Sequence, residues 1–442
     1  MKKIAERIFR QTIAAIDVPG AIEKKLGRSG SRIRAGERAI DLREFRSIVA
    51  IAYGKASLAM AEGLLRVLSP DFSPEGILVV PAMPARRLSG WQIFVGGHPV
   101  PNAASFAAGR AILDRLARSD ERTLVFFLIS GGGSSLVEQP LDPKVTLPDF
   151  DQLHSALVTC GGSIEEINSI RKHVSATKGG RLAAAAPKSM KITLAISDVP
   201  VGQESALASG PTMPDPSTIR DAEEVAKKYS LIEKLPARLK AAFENHTLPE
   251  NPKPGDPAFA RSSFSLVLGQ HELMHAAHHA CETEGYVCVC DSSTDNWPLE
   301  KAADYLLALL HAQLEIQNRE NPGRPVAVLA DGELSCPVTG DGIGGRNSAF
   351  VLACVSKIAE KNITVLSAGT DGIDGNSPAA GAVADGQTAA RARSAGLDPA
   401  DFMKRSDAYS FFSRLDDAII TGPTGNNLRD LRILLSDGAR RA

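Results

Sequence analysis

An arginine at the end of a glycine-rich loop is the feature of this 442-residue sequence that most directly suggests chemistry. In "GDGIGGRNSAFVLA", Arg346 and Asn347 follow a run of glycines and precede a helix-like apolar segment. Glycines allow the backbone to approach a ligand closely, and a guanidinium offers a fixed fork of donors to phosphate or carboxylate oxygens. The pattern therefore predicts that Arg346 and Asn347 contact an anionic ligand.

A second glycine-rich loop, "LISGGGSSLVE", directly follows an apolar run that is typical of a buried strand. Its backbone N–H groups and serine hydroxyls could converge on an anion, although a flexible turn would have the same composition. No lysine follows at the position that the G-x-x-x-x-G-K-[ST] phosphate loop requires. The candidate binding residues of this loop are Gly131, Gly132, Gly133, Ser134 and Ser135.

Basic residues in two other segments are further candidates. Lys55 lies at a predicted strand-to-helix junction in "IAYGKASLAM", where it could bind a phosphate or a carboxylate, or be a solvated lysine. Arg171 and Lys178, in "NSIRKHVSATKGGRLA", are spaced so that they would share one face of a helix. That face could simply be solvated, but the adjoining pair of glycines favours a ligand site.

Carboxylates follow two predicted strands. Asp198 ends the apolar run "MKITLAISD", where it could hold Mg²⁺ or accept a proton from a substrate hydroxyl, or form an Asx-turn or helix cap. Ser209 and Gly210, further along the same loop, could supply more donors. Asp371 and Asp374 lie in "SAGTDGIDG", which suits magnesium or hydroxyl binding or an ordinary turn.

Histidines and cysteines offer weaker signals. His271, His275 and His278 in "HELMHAAHH" share a helical face, but no carboxylate or cysteine set nearby completes a zinc site. Cys288 and Cys290 alternate along a predicted strand and lack the usual C-x-x-C spacing, so buried small side chains are the expectation.

The bulk composition excludes several classes of partner. The formal net charge is −1, so no basic field favours nucleic acid or an anionic membrane. No stretch approaches the roughly 20 apolar residues of a membrane span, and the charged N-terminal segment lacks the apolar core of a secretory signal. We expect a cytoplasmic protein that is a monomer or a homodimer.

Strands and helices alternate along the chain, which predicts an α/β fold of parallel β-α units in a doubly wound sheet. A proline-rich segment at 247–257 indicates a domain boundary, giving domains at 1–247 and 262–442. The predicted strands include 46–53, 76–82, 123–130, 190–198, 264–269, 325–333 and a run that starts at 363.

Taken together, these segments resemble the class II glycerate 2-kinase family, whose members end in a MOFRL domain. The resemblance rests on "GKASLAMA", "GHPVPN", "SGGGSSL", "IRKHVSATKGGRLA", "SDVPVGQESALASGPTMPD", "GDGIGGRN", "AGTDGIDG" and "GPTGNNLRD", in that order. It covers nearly the whole chain. It implies a larger Rossmann-like α/β/α N-terminal domain, a smaller α/β C-terminal domain of the MOFRL type, and an interdomain cleft.

The resemblance also implies an activity. Family members transfer a phosphoryl group from ATP, with Mg²⁺, to the 2-hydroxyl of D-glycerate. The family's catalytic lysine, aspartate and arginine align with Lys55, Asp198 and Arg346, and Asp198 is also the candidate metal ligand.

Two alternatives remain at this level. A hydroxypyruvate reductase would use NAD(P)H, but no G-x-G-x-x-G directly follows a predicted strand with an acidic residue about 20 positions later. A non-catalytic protein that senses sugar acids or nucleotides would bind the same ligands without turnover.

Overall fold

The computed structural model describes residues 1–200 and 202–437, and the chain divides into two compact units. The N-terminal unit spans Val18–Val267, and the C-terminal unit combines Met1–Asp17 with Leu268–Ala442. The division differs from the predicted domains 1–247 and 262–442. The first helix groups with the C-terminal unit, and the strand after the proline-rich segment joins the N-terminal sheet.

The chain begins with helix α1 (Lys2–Ala15), which belongs to the C-terminal unit. The strands of the N-terminal unit are β1 (Arg32–Ala35), β2 (Arg38–Asp41), β3 (Ser47–Tyr53), β4 (Glu75–Val80), β5 (Trp91–Val95), β6 (Thr123–Ser130), β7 (Met190–Ile196) and β8 (Ser262–Leu268). Its helices are α2 (Val18–Leu26), α3 (Ser57–Leu68), α4 (Ala103–Ala117), α5 (Gly133–Leu136), α6 (Leu147–Val158), α7 (Ile164–Val174), α8 (Arg181–Ala184), α9 (Ile219–Lys228) and α10 (Ala237–Glu244).

A six-stranded sheet in the order β5-β4-β3-β6-β7-β8 forms the centre of the N-terminal unit. The neighbouring strands from β5 to β7 pair in parallel. All eight residues of β6, "TLVFFLIS", are buried, as expected for a central strand covered by helices on both faces. The strand order reverses direction between β3 and β6, which is where doubly wound sheets bind their ligands.

The C-terminal unit contains a second α/β fold with a smaller set of strands. They are β9 (Val287–Asp291), β10 (Val326–Asp331), β11 (Ile363–Gly369), β12 (Gly381–Asp385), β13 (Ala418–Ile419) and β14 (Asp430–Ser436). Its helices, besides α1, are α11 (Gln270–Thr283), α12 (Leu299–Glu320), α13 (Arg346–Cys354), α14 (Thr388–Ser394), α15 (Pro399–Lys404) and α16 (Ala408–Arg414).

The C-terminal sheet has the order β13-β12-β11-β14-β10-β9 and is mixed rather than parallel. Strand β14 pairs antiparallel with both β10 and β11, whereas β9 and β10 pair in parallel. The predicted α/β fold with two domains is confirmed, with parallel pairing in the N-terminal unit and a mixed sheet in this one. The antiparallel insertion of β14 brings the start of that strand to the edge where β10 and β11 end.

Helix α1 covers part of the C-terminal sheet. Its buried residues are Ala5, Ile8, Phe9 and Thr12, which recur at helical spacing and form one apolar stripe. The stripe packs on α11 and β11, and Lys2 Nζ lies 2.8 Å from a carboxylate oxygen of Asp417. These contacts explain why the first helix groups with the C-terminal unit.

Candidate active site

Three loops of the N-terminal unit begin at the same edge of its sheet, at the carboxyl ends of β3, β6 and β7. The strand order reverses at this point of the sheet. Tyr53 pairs with Ile129, and Ser130 pairs with Ile196, so β3, β6 and β7 finish in register. Lys55 and Asp198 each follow their strand by two residues. Because neighbouring strands lie about 4.8 Å apart and β6 lies between them, the ends of β3 and β7 are separated by roughly 10 Å.

Hydrogen bonds join the first two of these loops. The backbone N–H of Lys55 donates to the carbonyl of Gly131 at 3.0 Å, and the N–H of Ala56 donates to Ser130 Oγ at 3.0 Å. Gly132 has a φ of +80°, and a Cβ added there would lie 3.3 Å from Lys55 Cγ and 3.0 Å from His98 Cδ2. The side chain of Lys55 therefore runs alongside the glycine-rich loop.

A cavity of about 240 Å³ opens beside this loop, and we call it the Arg171 cavity. Five of its lining residues are sequence candidates: Gly132, Ser134, Ser135, Arg171 and Lys178. Sequence reasoning missed the other lining residues, which are His98, Pro99, Pro101, Glu138, Phe150 and His154. The loop after β6 and the basic segment thus lie together, although about 40 residues separate them in the chain.

A buried ion pair forms one wall of the Arg171 cavity. Lys178 and Glu138 are 2% and 1% exposed, and Lys178 Nζ donates to Glu138 Oε2. The other carboxylate oxygen accepts the hydroxyl of Ser175 and the backbone N–H of Gln139. Burial lowers the pKa of Lys178, and the Glu138 carboxylate opposes that shift.

Arg171 supplies the second cation of the cavity. Its Nη2 lies 3.3 Å from Nδ1 of His154, which also lines the cavity. Burial lowers the pKa of Arg171, and Glu138 partly opposes this effect. Burial and then the guanidinium of Arg171 lower the pKa of His154, which favours the neutral imidazole.

Ser209 and Gly210 lie behind the Arg171 cavity and do not line it. Ser209 is buried, and its hydroxyl lies 2.9 Å from Ser134 Oγ. The carbonyls of Ser209 and Gly210 accept the N–H groups of Gly179 and Gly180 at 3.0 and 2.8 Å. Both residues therefore hold the glycine-rich loop and the basic segment in place.

In the C-terminal unit, Arg346 lies at the sheet edge where β10 and β11 end and β14 begins. Its Nε and Nη2 donate to the buried carboxylate of Asp430, and its Nη2 lies 2.7 Å from Glu333 Oε1. Burial works against the charge on Asp430, but Arg346 keeps the pKa of that carboxyl below its usual range. The Arg346 side chain remains 35% exposed, so a ligand can reach it.

Asp374 fixes the start of the helix that carries Arg346. One carboxylate oxygen accepts the N–H of Asn347 at 2.9 Å, and the other accepts the N–H and hydroxyl of Ser348 at 2.8 and 2.6 Å. The side chain of Asp374 is 1% exposed. Its oxygens therefore cap α13 instead of facing a ligand.

The other two candidates of this unit also make local contacts. Asn347 is buried, and its Oδ1 accepts the hydroxyl of Ser367 at 2.6 Å. Asp371 is half-buried, and its Oδ1 accepts the N–H of Ile373 at 3.0 Å, which closes an Asx-turn. Asn347 thus supports the ion pairs that Arg346 forms with Asp430 and Glu333. Asp371 shapes the loop beside Arg346.

A second cavity, of about 330 Å³, lies within the C-terminal unit, and we call it the Phe402 cavity. Its walls include apolar side chains of Leu299, Val338, Phe402 and Met403. Gly345, the residue directly before Arg346, forms part of its rim. The cavity is therefore apolar inside and adjoins the loop that ends in the candidate arginine.

Within residues 1–200 and 202–437, no group of three or more His, Cys, Asp or Glu side chains is arranged to hold a metal ion. Over the same residues, no helix combines the length and the apolar character that crossing a membrane requires.

Comparisons with known proteins cover the whole chain. Residues 4–244 match the domain of unknown function DUF4147, and residues 326–430 match the MOFRL family. The D-glycerate 2-kinase of Thermotoga maritima is 31% identical over 98% of both chains. A relative from Agrobacterium vitis named "Putative hydroxypyruvate reductase" is 35% identical over 88% of this chain and 86% of its own.

A solved structure gives the same result. The crystal structure of glycerate kinase (EC 2.7.1.31) from Thermotoga maritima matches with a TM-score of 0.80 and 31% identity, over 98% of this chain and 99% of that one. The two matched domains follow each other along the chain in the same order as the loops described above. The similarity to the relatives extends over nearly the full length. The chain therefore belongs to the class II glycerate 2-kinase family, in which a DUF4147 domain precedes a MOFRL domain.

Proposed function

We propose that this protein is a glycerate 2-kinase, which transfers the γ-phosphoryl group of ATP to the 2-hydroxyl of D-glycerate and releases ADP. The observation that carries the proposal is the similarity, over nearly the full length, to an enzyme named D-glycerate 2-kinase. The absence of a membrane-crossing helix among residues 1–200 and 202–437 supports a cytoplasmic location.

Phosphoryl transfer depends on positioning and on neutralising charge more than on covalent chemistry. Lys55 binds an anionic oxygen of a substrate at the end of β3. Asp198 orients the attacking hydroxyl and accepts its proton as the oxygen bonds to phosphorus. Arg346 stabilises the charge on the transferring group, a role that is worth about 10³–10⁵ in rate for arginines in other phosphotransferases.

Mg²⁺ would accompany the nucleotide. This ion usually binds one or two protein carboxylates and completes its shell with phosphate oxygens and water, so a cage of three protein ligands is not needed. Asp198 at the end of β7 is the candidate protein ligand. The ion would supply charge neutralisation to the phosphate oxygens.

The Phe402 cavity is the proposed position of the adenosine group. Its volume of about 330 Å³ and its apolar walls suit a flat heterocycle, because ligand pockets of this class are mostly apolar with a few polar groups. A nucleoside there would direct its phosphates towards Gly345 and Arg346. Lys55 and Asp198, the other two residues of the proposed mechanism, belong to the N-terminal unit.

The test is ATP-dependent product formation with D-glycerate, followed by ADP release and by identification of the phosphorylated carbon. Lys55→Ala, Asp198→Asn and Arg346→Ala should each lower kcat at least ~100-fold, on the scale of removing one electrostatic contact at a reaction centre. Unchanged circular dichroism spectra would show that the variants fold.

A hydroxypyruvate reductase is the second candidate, because the Agrobacterium vitis relative carries that name. The turn after β3, the first strand of the Rossmann-like sheet, reads "GKAS" and lacks the glycine pattern that binds a dinucleotide. NADH or NADPH oxidation with hydroxypyruvate would support the reductase. Binding of glycerate or ATP without any turnover would instead support a non-catalytic sensor.

A further inference from the structure

We propose that the buried Glu138 sets the charge of the Arg171 cavity at about one positive unit and thereby makes it a site for a hydroxy acid with a single carboxylate. A dicarboxylate or a nucleotide triphosphate would be excluded by the same charge. This inference rests on the proposed kinase function, since it assigns the acid to one of the two cavities.

The argument begins with the charges on the cavity wall. Lys178 and Glu138 are both buried and in direct contact, and the Ser175 hydroxyl and the Gln139 N–H hold the carboxylate in place. Wherever the proton between them lies, the pair contributes no net charge. Arg171 is then the lining side chain that keeps a permanent positive charge.

The remaining lining groups do not change this count. The other titratable lining groups are His98 and His154, and histidine side chains are ordinarily neutral at pH 8. Burial and Arg171 also lower the pKa of His154. Lys55 and Asp198 follow β3 and β7, the two strands on either side of β6, and carry opposite charges. Counting both residues therefore leaves the net charge of the cavity unchanged.

The consequence is a preference among anions. One carboxylate of D-glycerate balances the cavity's charge, whereas the second carboxylate of tartronate would be desolvated without a partner. An unpaired buried charge is costly, so the dicarboxylate is rejected. A triphosphate, with several negative charges, is excluded more strongly. Glu138 therefore determines specificity by neutralising the charge of Lys178.

The experiment compares D-glycerate with tartronate, which is similar in size and has one more negative charge. Glu138→Gln removes the counter-charge of Lys178. With the Lys178 ammonium still protonated, it should raise the ratio of kcat/KM for tartronate to that for D-glycerate at least ~10-fold, because one unit charge a few Å away in a partly buried site is worth a factor of ten or more. The double variant Glu138→Gln/Lys178→Met restores the wild-type charge and should bring the ratio back to within about threefold of the wild-type value.

An unchanged ratio in Glu138→Gln, or a change in the KM for ATP instead of the acid, would overturn the inference. If Glu138→Gln does not fold, Arg171→Met provides the same test. It should raise the KM for D-glycerate at least ~10-fold and leave the KM for ATP within about twofold, and the reverse pattern would overturn the assignment.

Calorimetric titration of the nucleotide-free protein separates this inference from the proposed function. Tighter binding of D-glycerate than of tartronate, inverted or equalised by Glu138→Gln, supports the inference even for a protein without turnover. A protein with kinase activity and no charge-dependent selection would refute the inference alone.

Discussion

The backbone N–H of Lys55 donates to the carbonyl of Gly131 at 3.0 Å, and this bond ties together the two loops at the reversal point of the N-terminal sheet. Parallel strands bring the two loops to the same edge, and the hydrogen bond fixes the distance between them. The glycine-rich loop thereby positions the lysine as well as opening space for an anion. A substitution that displaces either loop should therefore change the position of the other loop as well.

Gly132→Ala should test this coupling. The glycine has a φ of +80°, and a new Cβ would lie 3.3 Å from Lys55 Cγ and 3.0 Å from His98 Cδ2. We expect a loss of about 1–2 kcal/mol in the free energy of unfolding, and a fall of at least ~10-fold in kcat/KM because Lys55 shifts. Urea denaturation and steady-state kinetics measure the two effects.

Gly90→Ala is the matched control for that substitution. Gly90 has a similar φ of +77°, but nothing lies within 4 Å of its added Cβ. It should lose similar stability and keep wild-type kinetics. Equal kinetic losses in the two variants would mean that backbone strain, and not displacement of Lys55, causes the effect.

Arg346→Lys should lower kcat at least ~100-fold although it keeps the positive charge. The guanidinium contacts Asp430 and Glu333 together, and a lysine ammonium lacks the planar fork that both contacts need. Arg319→Lys, on the exposed face of α12, is the control and should leave kcat unchanged. A kcat within threefold of wild type for Arg346→Lys would contradict the role given to this arginine.

Asp374→Asn should weaken the start of α13 and the position of Arg346. The carboxylate accepts two backbone N–H groups and a hydroxyl, and an amide replaces one of its acceptors with a donor. We expect a loss of about 1–2 kcal/mol in stability and a lower kcat. Asp398→Asn, which alters the exposed cap of α15, should leave kcat unchanged, and a similar fall there would refute the link to Arg346.

Lys191 should make stability depend on pH. It is 1% exposed, and burial lowers its pKa to about 8, with a smaller contribution from Arg261. The unfolded chain keeps a lysine pKa near 10.4, so between about pH 8 and 10 the unfolded state binds more protons than the folded state. The free energy of unfolding therefore rises with pH over this range.

Lys191→Met should remove that dependence. Relative to wild type, its stability should fall by about 1–3 kcal/mol between pH 7 and pH 10, as measured by urea denaturation. The exposed Lys188→Met is the control and should differ from wild type by a constant amount. A constant difference for Lys191→Met would show that the buried ammonium does not lose its proton in this range.

Local sequence patterns predicted most of the N-terminal unit. The strand predicted at 123–130 has the same bounds as β6, and the helix that precedes it is α4. Asn102 forms a capping box with Ser105, and every residue of β6 is buried, so local signals and tertiary packing agree. The parallel arrangement around β6 follows from the alternation of strands and helices.

The C-terminal sheet could not be predicted in the same way. Strand β14 carries Arg432, which is 1% exposed and donates to the carbonyls of Asp331 and Gly332. A charged residue inside a central strand conceals the apolar pattern that indicates burial. The sequence also could not predict which unit α1 belongs to, because the apolar stripe of α1 could pack against any apolar surface.

The Arg171 cavity shows the same limit for the site. Its cations and glycines were recognisable by residue type, whereas Glu138 and His154 had no motif of their own. Glu138 follows the glycine-rich loop directly, so a carboxylate beside an anion loop was the available signal. Only the folded chain shows that it neutralises Lys178.

The most direct test of the central claim is incubation of the purified protein with ATP, Mg²⁺ and D-glycerate, with the product identified by ³¹P and ¹³C NMR. The account predicts stoichiometric ADP and a phosphoryl group on carbon 2 of the acid, both lost in Lys55→Ala. Phosphorylation at another position, or hydroxypyruvate reduction by a nicotinamide cofactor with no ADP formed from glycerate, would contradict it.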